Sequence, residues 1–237
     1  TYDTLSRLKT EVINGSTTSL SVNYDSIGNI ISKTINGNSF IYAYNDGNHA
    51  HAVSSITRGT PRNFTYDANG NMTYGWDFTN PSSPKSRSIT YNADNMPTLI
   101  TYNGSVSTNL LYDGMGTRVR KSVGSNHTYY IGEHFEIQGG TTTKYIFAGN
   151  LRVAQVKGGV RSYFHKDHLG SSTVMTDASG IEITSSSTEY MPFGTMRNSS
   201  SIPTNYLYTD QELDSENGLY NYNARLYDPF IGRCNFS

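Results

Sequence analysis

The motif Tyr-Asp-x-x-Gly returns along this chain at a nearly fixed interval, and no other feature limits the fold so tightly. Tyr24-Asp25 leads to Gly28, Tyr66-Asp67 to Gly70 and Tyr112-Asp113 to Gly116. Degenerate copies fill the gaps: Tyr2-Asp3 has Ser6 in the Gly position, Tyr44 is followed by Asp46-Gly47, and Tyr91 by Asn92 and Asn95. The tyrosines at 2, 24, 44, 66, 91 and 112 are spaced by 20 to 25 residues. Self-similarity at such a period marks an array of stacked supersecondary units.

Within each unit the chemistry is that of a hairpin corner. An Asp at the first position of a four-residue turn caps it through its side chain, and Gly three residues later accepts the left-handed conformation that closes it. Asp25 with Gly28, Asp67 with Gly70 and Asp113 with Gly116 are the structural turn motif. The residues leading into the corners alternate, as in Leu20, Val22 and Tyr24 or Phe40, Tyr42 and Tyr44. Period two predicts strands. A calcium loop would need carboxylates at successive odd positions and a terminal bidentate Glu, which these corners lack.

Two strands of roughly eight residues fit in each unit, each about 26 Å long at ~3.3 Å per residue. The chain has room for about twenty strands, yet twisted open sheets seldom pass about ten before curling or splitting. No stretch has convincing helical periodicity, so no second layer is expected. The predicted fold class is all-β: an array of antiparallel β-hairpin repeats forming a single curled, spiral sheet around a space.

Composition narrows the partners. Charged residues make up 16% and the net charge is -1, with Lys and Arg scattered, so neither nucleic acid nor an anionic membrane is expected as a partner. No apolar run is long enough for a membrane span. Nineteen tyrosines stand against one Trp; Tyr stacks across strands while its hydroxyl tolerates water, which suits a wall wet on both faces. The lone Cys234 excludes an internal disulfide. The chain begins with Thr1 in mid-pattern, as expected of a piece of a longer protein.

Beyond about residue 123 the corner motif thins and four blocks stand out: Tyr163-Phe164-His165-Lys166-Asp167-His168-Leu169-Gly170-Ser171-Ser172, Thr176-Asp177-Ala178-Ser179-Gly180, Tyr190-Met191-Pro192-Phe193-Gly194, and Gly218-Leu219-Tyr220 through Arg225, Tyr227-Asp228-Pro229 and Gly232-Arg233. In this order they resemble the core region of the rearrangement-hotspot (Rhs) or YD-repeat proteins, and the upstream units resemble that family's repeats. The resemblance implies a YD-repeat array over 1–123 and an Rhs-associated core over 124–237. It further implies a hollow β-cage that the core closes at one end, around a toxin segment that follows in the same parent chain. The implied partners are that downstream toxin segment and flanking YD repeats. The implied location is secreted or at the bacterial cell surface, by a secretion system or toxin complex. Many family members release the toxin by self-cleavage with aspartates beyond the Gly-Arg that matches Gly232-Arg233; this chain stops at Ser237, and Cys234 replaces the usual aromatic residue.

The core-region residues singled out are His165, Asp167, His168, Gly170, Asp177, Gly180, Pro192, Gly194, Arg225, Asp228, Pro229, Gly232 and Arg233. His165, Asp167 and His168 form the most metal-like cluster, but alternation puts His168 on the other face, so they read as hydrogen-bonding turn residues. Asp228 before Pro229 starts a turn. Arg118 and Arg120 read as a solvated strand face. No catalytic residue, cofactor or metal is assigned, and the chain is expected not to be an enzyme. The functional expectation is a shell segment enclosing a downstream toxin; the alternative is an adhesion or carbohydrate-binding module presenting exposed tyrosines to glycans.

Overall fold

The computed structural model describes residues 1–13, 17–198 and 200–234; the Asn235-Phe236-Ser237 end lies outside them. The architecture is all-β and antiparallel, and among the described residues the one helical turn is Tyr208–Asp210. The chain divides into two compact units, Thr1–Trp76 and a second from Asp77 onward.

In the first unit, β1 (Thr10–Ile13), β2 (Thr17–Tyr24), β3 (Ile30–Ile35), β4 (Asn38–Ala43), β5 (Ser55–Arg58) and β6 (Thr60–Asn63) pair in sequence order. β7 (Thr65–Tyr66) and β8 (Met72–Asp77) form a further hairpin. Leu20, Val22, Ile30, Phe40, Tyr42 and Ile56 are buried here, the alternate positions of the strands, as period two requires.

The second unit is built on an unbroken antiparallel run. It comprises β9 (Lys85–Tyr91), β10 (Pro97–Tyr102), β11 (Val106–Tyr112), β12 (Arg118–Val123), β13 (Asn126–Ile131), β14 (Phe135–Gln138), β15 (Thr141–Ala148), β16 (Leu151–Lys157), β17 (Val160–Lys166) and β18 (Ser172–Asp177). A separate sheet follows, β19 (Glu212–Asp214), β20 (Leu219–Tyr222), β21 (Arg225–Asp228) and β22 (Arg233–Cys234). Leu219 and Leu226 of this last sheet pack with Ile89, Ile100 and Leu110 of the long run, and Phe230 stacks on Phe78 at 5.1 Å. One face of the long sheet is therefore covered, which corrects the expectation of a wall wet on both faces. The missing signal was a second layer made of strands instead of helices.

The corners repeat in atomic detail. Asp25 Oδ1 accepts the N–H groups of Ile27 and Asn29, and the same pair of bonds recurs at Asp67, Asp113, Asp167 and Asp177. Gly28, Gly70 and Gly116 have φ of 91°, 83° and 78°, the left-handed region the turn needs. Two degenerate copies fold alike: Asp3 accepts from Leu5 and Arg7 with Ser6 at φ 59°, and Asn92 accepts from Asp94 and Met96 with Asn95 in the glycine's place at φ 60°. The third differs, Asp46 bonding Asn48 and His49 with Gly47 outside the left-handed region. Five of these corners are followed by a β-bulge. Tyr112 pairs with Arg118 while Leu111 pairs with Arg120, so Val119 is skipped; the same slip follows Asp25, Asp67, Asn92 and Asp167. A bulge resets the alternation. Residues five and eight positions after the corner Asp, which strict alternation would separate, thus share the buried face: Ile30 with Lys33, Pro97 with Ile100, Arg118 with Lys121 and Ser172 with Met175.

Candidate functional site

The covered face of the second unit is unusual in what it buries. Strands present Arg87, Arg118, Lys121 and Arg152 inward, all nearly inaccessible, and burying unpaired charge costs several kcal/mol per ion (~). Their partners come from the end of the chain. Arg118 donates to Glu212 at 2.6 Å and Asp214 at 2.8 Å; Lys121 Nζ lies 2.6 Å from Asp214, 3.3 Å from Glu212 and 3.5 Å from Glu216. The Tyr130 hydroxyl donates to Glu212 at 2.7 Å. Period two on β19 sets Glu212 and Asp214 on one face, so two carboxylates meet the pair of cations that the bulge sets side by side. Burial alone raises the pKa of Asp214, but the charges of Arg118 and Lys121 outweigh it and hold the carboxyl below its ordinary value. Burial likewise pulls Lys121 down, and the surrounding carboxylates push it well above the usual lysine range. This corrects the reading of Arg118 as part of a solvated strand face: alternation groups 118 with 120, whereas the bulge groups 118 with 121.

Two further centres flank this one. Arg87 Nη1 donates to Asp228 at 2.5 Å, and its Nη2 lies 3.3 Å from Asp77; Asp77 also accepts the Tyr102 hydroxyl at 2.6 Å. Arg152 sits 3.2 Å from Asp210 inside a box of rings, its guanidinium carbon 3.5 Å from the Tyr206 centroid, 4.2 Å from Tyr145 and 4.9 Å from Phe147. Lys166 shares Asp210 at 2.6 Å. Beside the Arg87 centre lies a cavity of about 350 Å³, lined in part by Asp77, Tyr102, Gly194, Tyr220 and Pro229.

The residues singled out from sequence fall into three places. Asp167 with Gly170, and Asp177 with Gly180, are further corners of the repeat type. His165 is exposed with a ring nitrogen 3.1 Å from Thr176 Oγ1, and His168 is exposed at its corner. Among the described residues no three His, Cys, Asp or Glu side chains lie close enough to hold a metal ion. Pro192 and Gly194 belong to a segment clamped by three tyrosines: the hydroxyls of Tyr208, Tyr227 and Tyr220 donate to the carbonyls of Pro192, Phe193 and Gly194. Asp228 does start a turn, accepting the N–H groups of Phe230 and Ile231, and Gly232 closes it by donating to the Asp228 carbonyl at φ 76°. Arg233 pairs with Asp228 in the β21–β22 ladder, and Arg225 opens β21 at an exposed position. Arg87, Lys121, Arg152, Asp210, Glu212 and Asp214 were not singled out; an acidic residue at every second position from 210 to 216 was the available signal.

The repeat tyrosines turn their hydroxyls to the backbone. Tyr24 donates to the Leu8 carbonyl, Tyr44 to Ile30, Tyr66 to Val53, Tyr112 to Pro97 and Tyr190 to Ser172. Each bond joins one repeat to the one before. No helix among the described residues is long and apolar enough to cross a membrane.

No known family model matches the chain. Salivary gland surface protein 1 of Aedes aegypti is 44% identical over 71 residues, 28% of this chain and 2% of that protein. The tRNA3(Ser)-specific nuclease WapA of Bacillus spizizenii is 26% identical over 196 residues, 76% of this chain and 8% of that protein. The chain thus spans a small part of the curated relatives it matches. Among solved structures, TcdB2-TccC3-Cdc42 matches over 100% of this chain and 17% of that one, with a TM-score of 0.56 and 17% identity. TcdB2-TccC3 matches over the same shares with a TM-score of 0.54 and 16% identity. At these identities what is shared is the fold: the chain folds like a segment of the TcdB2-TccC3 chains.

Proposed function

We propose that this chain is a wall segment of an Rhs-type toxin shell, and that its last sheet closes the inner face of the wall. The observation that carries this reading is the set of buried ion pairs joining β12 to Glu212 and Asp214 and β9 to Asp228. An ordinary packed layer needs no buried charge, whereas a strand that must seat at one place in a run of similar repeats gains register from it. The likeness to TcdB2-TccC3 and the partial match to a bacterial nuclease support the toxin setting. In this reading the parent chain continues into a toxin segment, flanking YD repeats extend the wall, and the protein acts outside the producing bacterium. The shell works by steric sequestration and performs no chemistry itself.

The test is protease protection in the longer parent protein. The segment after residue 237 should resist digestion in the intact protein and become sensitive once residues 1–123 are deleted. Equal sensitivity in both rules out enclosure.

A further inference from the structure

The central ion-pair cluster does not balance. Two cations, Arg118 and Lys121, face three carboxylates, Glu212, Asp214 and Glu216, and every one of these side chains is at most 14% exposed. Lys121 Nζ is within 3.5 Å of all three acids. Glu216 has the weakest hold, with Lys121 at 3.5 Å and the Thr108 hydroxyl donating at 3.4 Å.

We propose that Glu216 is a proton-operated latch: taking up one proton there matches two cations to two carboxylates and tightens the closing sheet on β12. This rests on the closing role proposed above and adds its regulation.

The groups around Glu216 are consistent with that assignment. Thr108 of β11 and Lys121 of β12 touch Glu216, and the charges of Asp214 and Glu212 act on it. One step further out, Arg118 of β12 and Tyr112 of β11 lie against Asp214, and Tyr130 of β13 and Glu136 of β14 against Glu212. Asp214 is committed to the charged form by Arg118 and Lys121, and Glu212 accepts from Arg118 and Tyr130. Arg152, Lys166 and Asp210 carry one excess positive charge, but Arg152 and Asp210 meet Glu212 across a cavity of about 270 Å³ that Glu216 does not line. Burial raises the pKa of Glu216 above its ordinary 4.5; Lys121 lowers it in part, and Asp214 and Glu212 raise it further. A raised carboxyl means the closed state binds the proton more tightly than the open one. Closure therefore strengthens as pH falls from neutral toward 4.5, and the added strength fades as pH rises through the raised value.

The experiment is native-state hydrogen exchange of the Leu213 and Tyr220 amides in the 237-residue chain, corrected for intrinsic rates, at about pH 5 and about pH 7.5. One linked proton changes the opening constant by at most about tenfold per pH unit. Wild type should open several-fold less at the lower pH. Glu216→Gln, a neutral isostere, should be as well closed at the higher pH as wild type at the lower, with the slope reduced. Glu136 is also buried and raised, so Glu136→Gln serves as the comparison and should keep the slope at these two amides. An unchanged slope in Glu216→Gln, or its loss in Glu136→Gln alone, overturns the latch. Either outcome leaves the shell reading standing, because protease protection in the parent is read at one pH.

Discussion

Asp214 is shared between Arg118 and Lys121, one carboxylate oxygen 2.8 Å from the guanidinium and the other 2.6 Å from the ammonium. Removing one member of such a set leaves buried charge uncompensated, which costs about 3 to 5 kcal/mol. Asp214→Asn should lower the urea midpoint accordingly, while Lys144→Met, at an exposed position of β15, should change stability by no more than about 0.5 kcal/mol. Equal shifts in both variants would mean that the buried centre contributes nothing specific.

Gly116 and Gly194 separate backbone strain from crowding. Both have positive φ, 78° and 91°. A Cβ on Gly116 would find its nearest neighbour 4.0 Å away, whereas one on Gly194 would sit 2.5 Å from the Tyr208 ring. Gly116→Ala should cost about 1 to 2 kcal/mol from conformation alone, and Gly194→Ala clearly more. Thermal unfolding of the two variants decides it; the reverse order is incompatible with the clamped segment described above.

Tyr112 and Tyr129 distinguish a structural ladder from a glycan platform. The Tyr112 hydroxyl donates to the Pro97 carbonyl, while Tyr129 is 44% exposed on the other face. Tyr112→Phe should cost about 0.5 to 1.5 kcal/mol and Tyr129→Phe less than about 0.5 kcal/mol. On a glycan array neither substitution should change the signal; binding that disappears with Tyr129→Ala would revive the adhesion alternative.

Acid should unfold the second unit late. Burial raises Asp77 and Asp214, but Arg87 in the first case and Arg118 with Lys121 in the second bring both below the ordinary 3.8. A carboxyl lowered in the folded state gives stability that is present above its unfolded value and is lost as pH falls through the folded one. Loss of the far-UV circular dichroism signal should therefore begin below pH 3.8. Complete unfolding well above that value would contradict these ion pairs.

Local rules made the corners and strands legible, because Asp25 bonds to residues two and four positions ahead and Leu20, Val22 and Tyr24 share a face by simple alternation. The inward turn of Arg118 with Lys121 was hidden by the bulge at Val119, which has no Gly or Pro to announce it. Asp228 was legible as a turn former but not as the partner of Arg87, which lies 141 residues away. Acidic residues at alternate positions from 210 to 216 carried a period-two signal, but only the fold supplies the cations they answer. The resemblance pointed to Gly194 and Gly232, and the close approach of aromatic rings to both explains why glycine stands there.

The tyrosine bonds from Tyr24, Tyr44, Tyr66 and Tyr112 to the preceding repeat all end on a main-chain oxygen, an acceptor that every amino acid supplies. A unit can therefore be duplicated, deleted or exchanged during descent without a matching change in its neighbour, provided the incoming unit keeps its own Tyr and corner Asp. The joint is indifferent to identity, while the inward pair five and eight residues after the corner differs from unit to unit, Ile30 with Lys33 in one and Arg118 with Lys121 in another. The tie between repeats and the chemistry of the inward face are thus set by different residues of the unit, so that a change in one leaves the other in place.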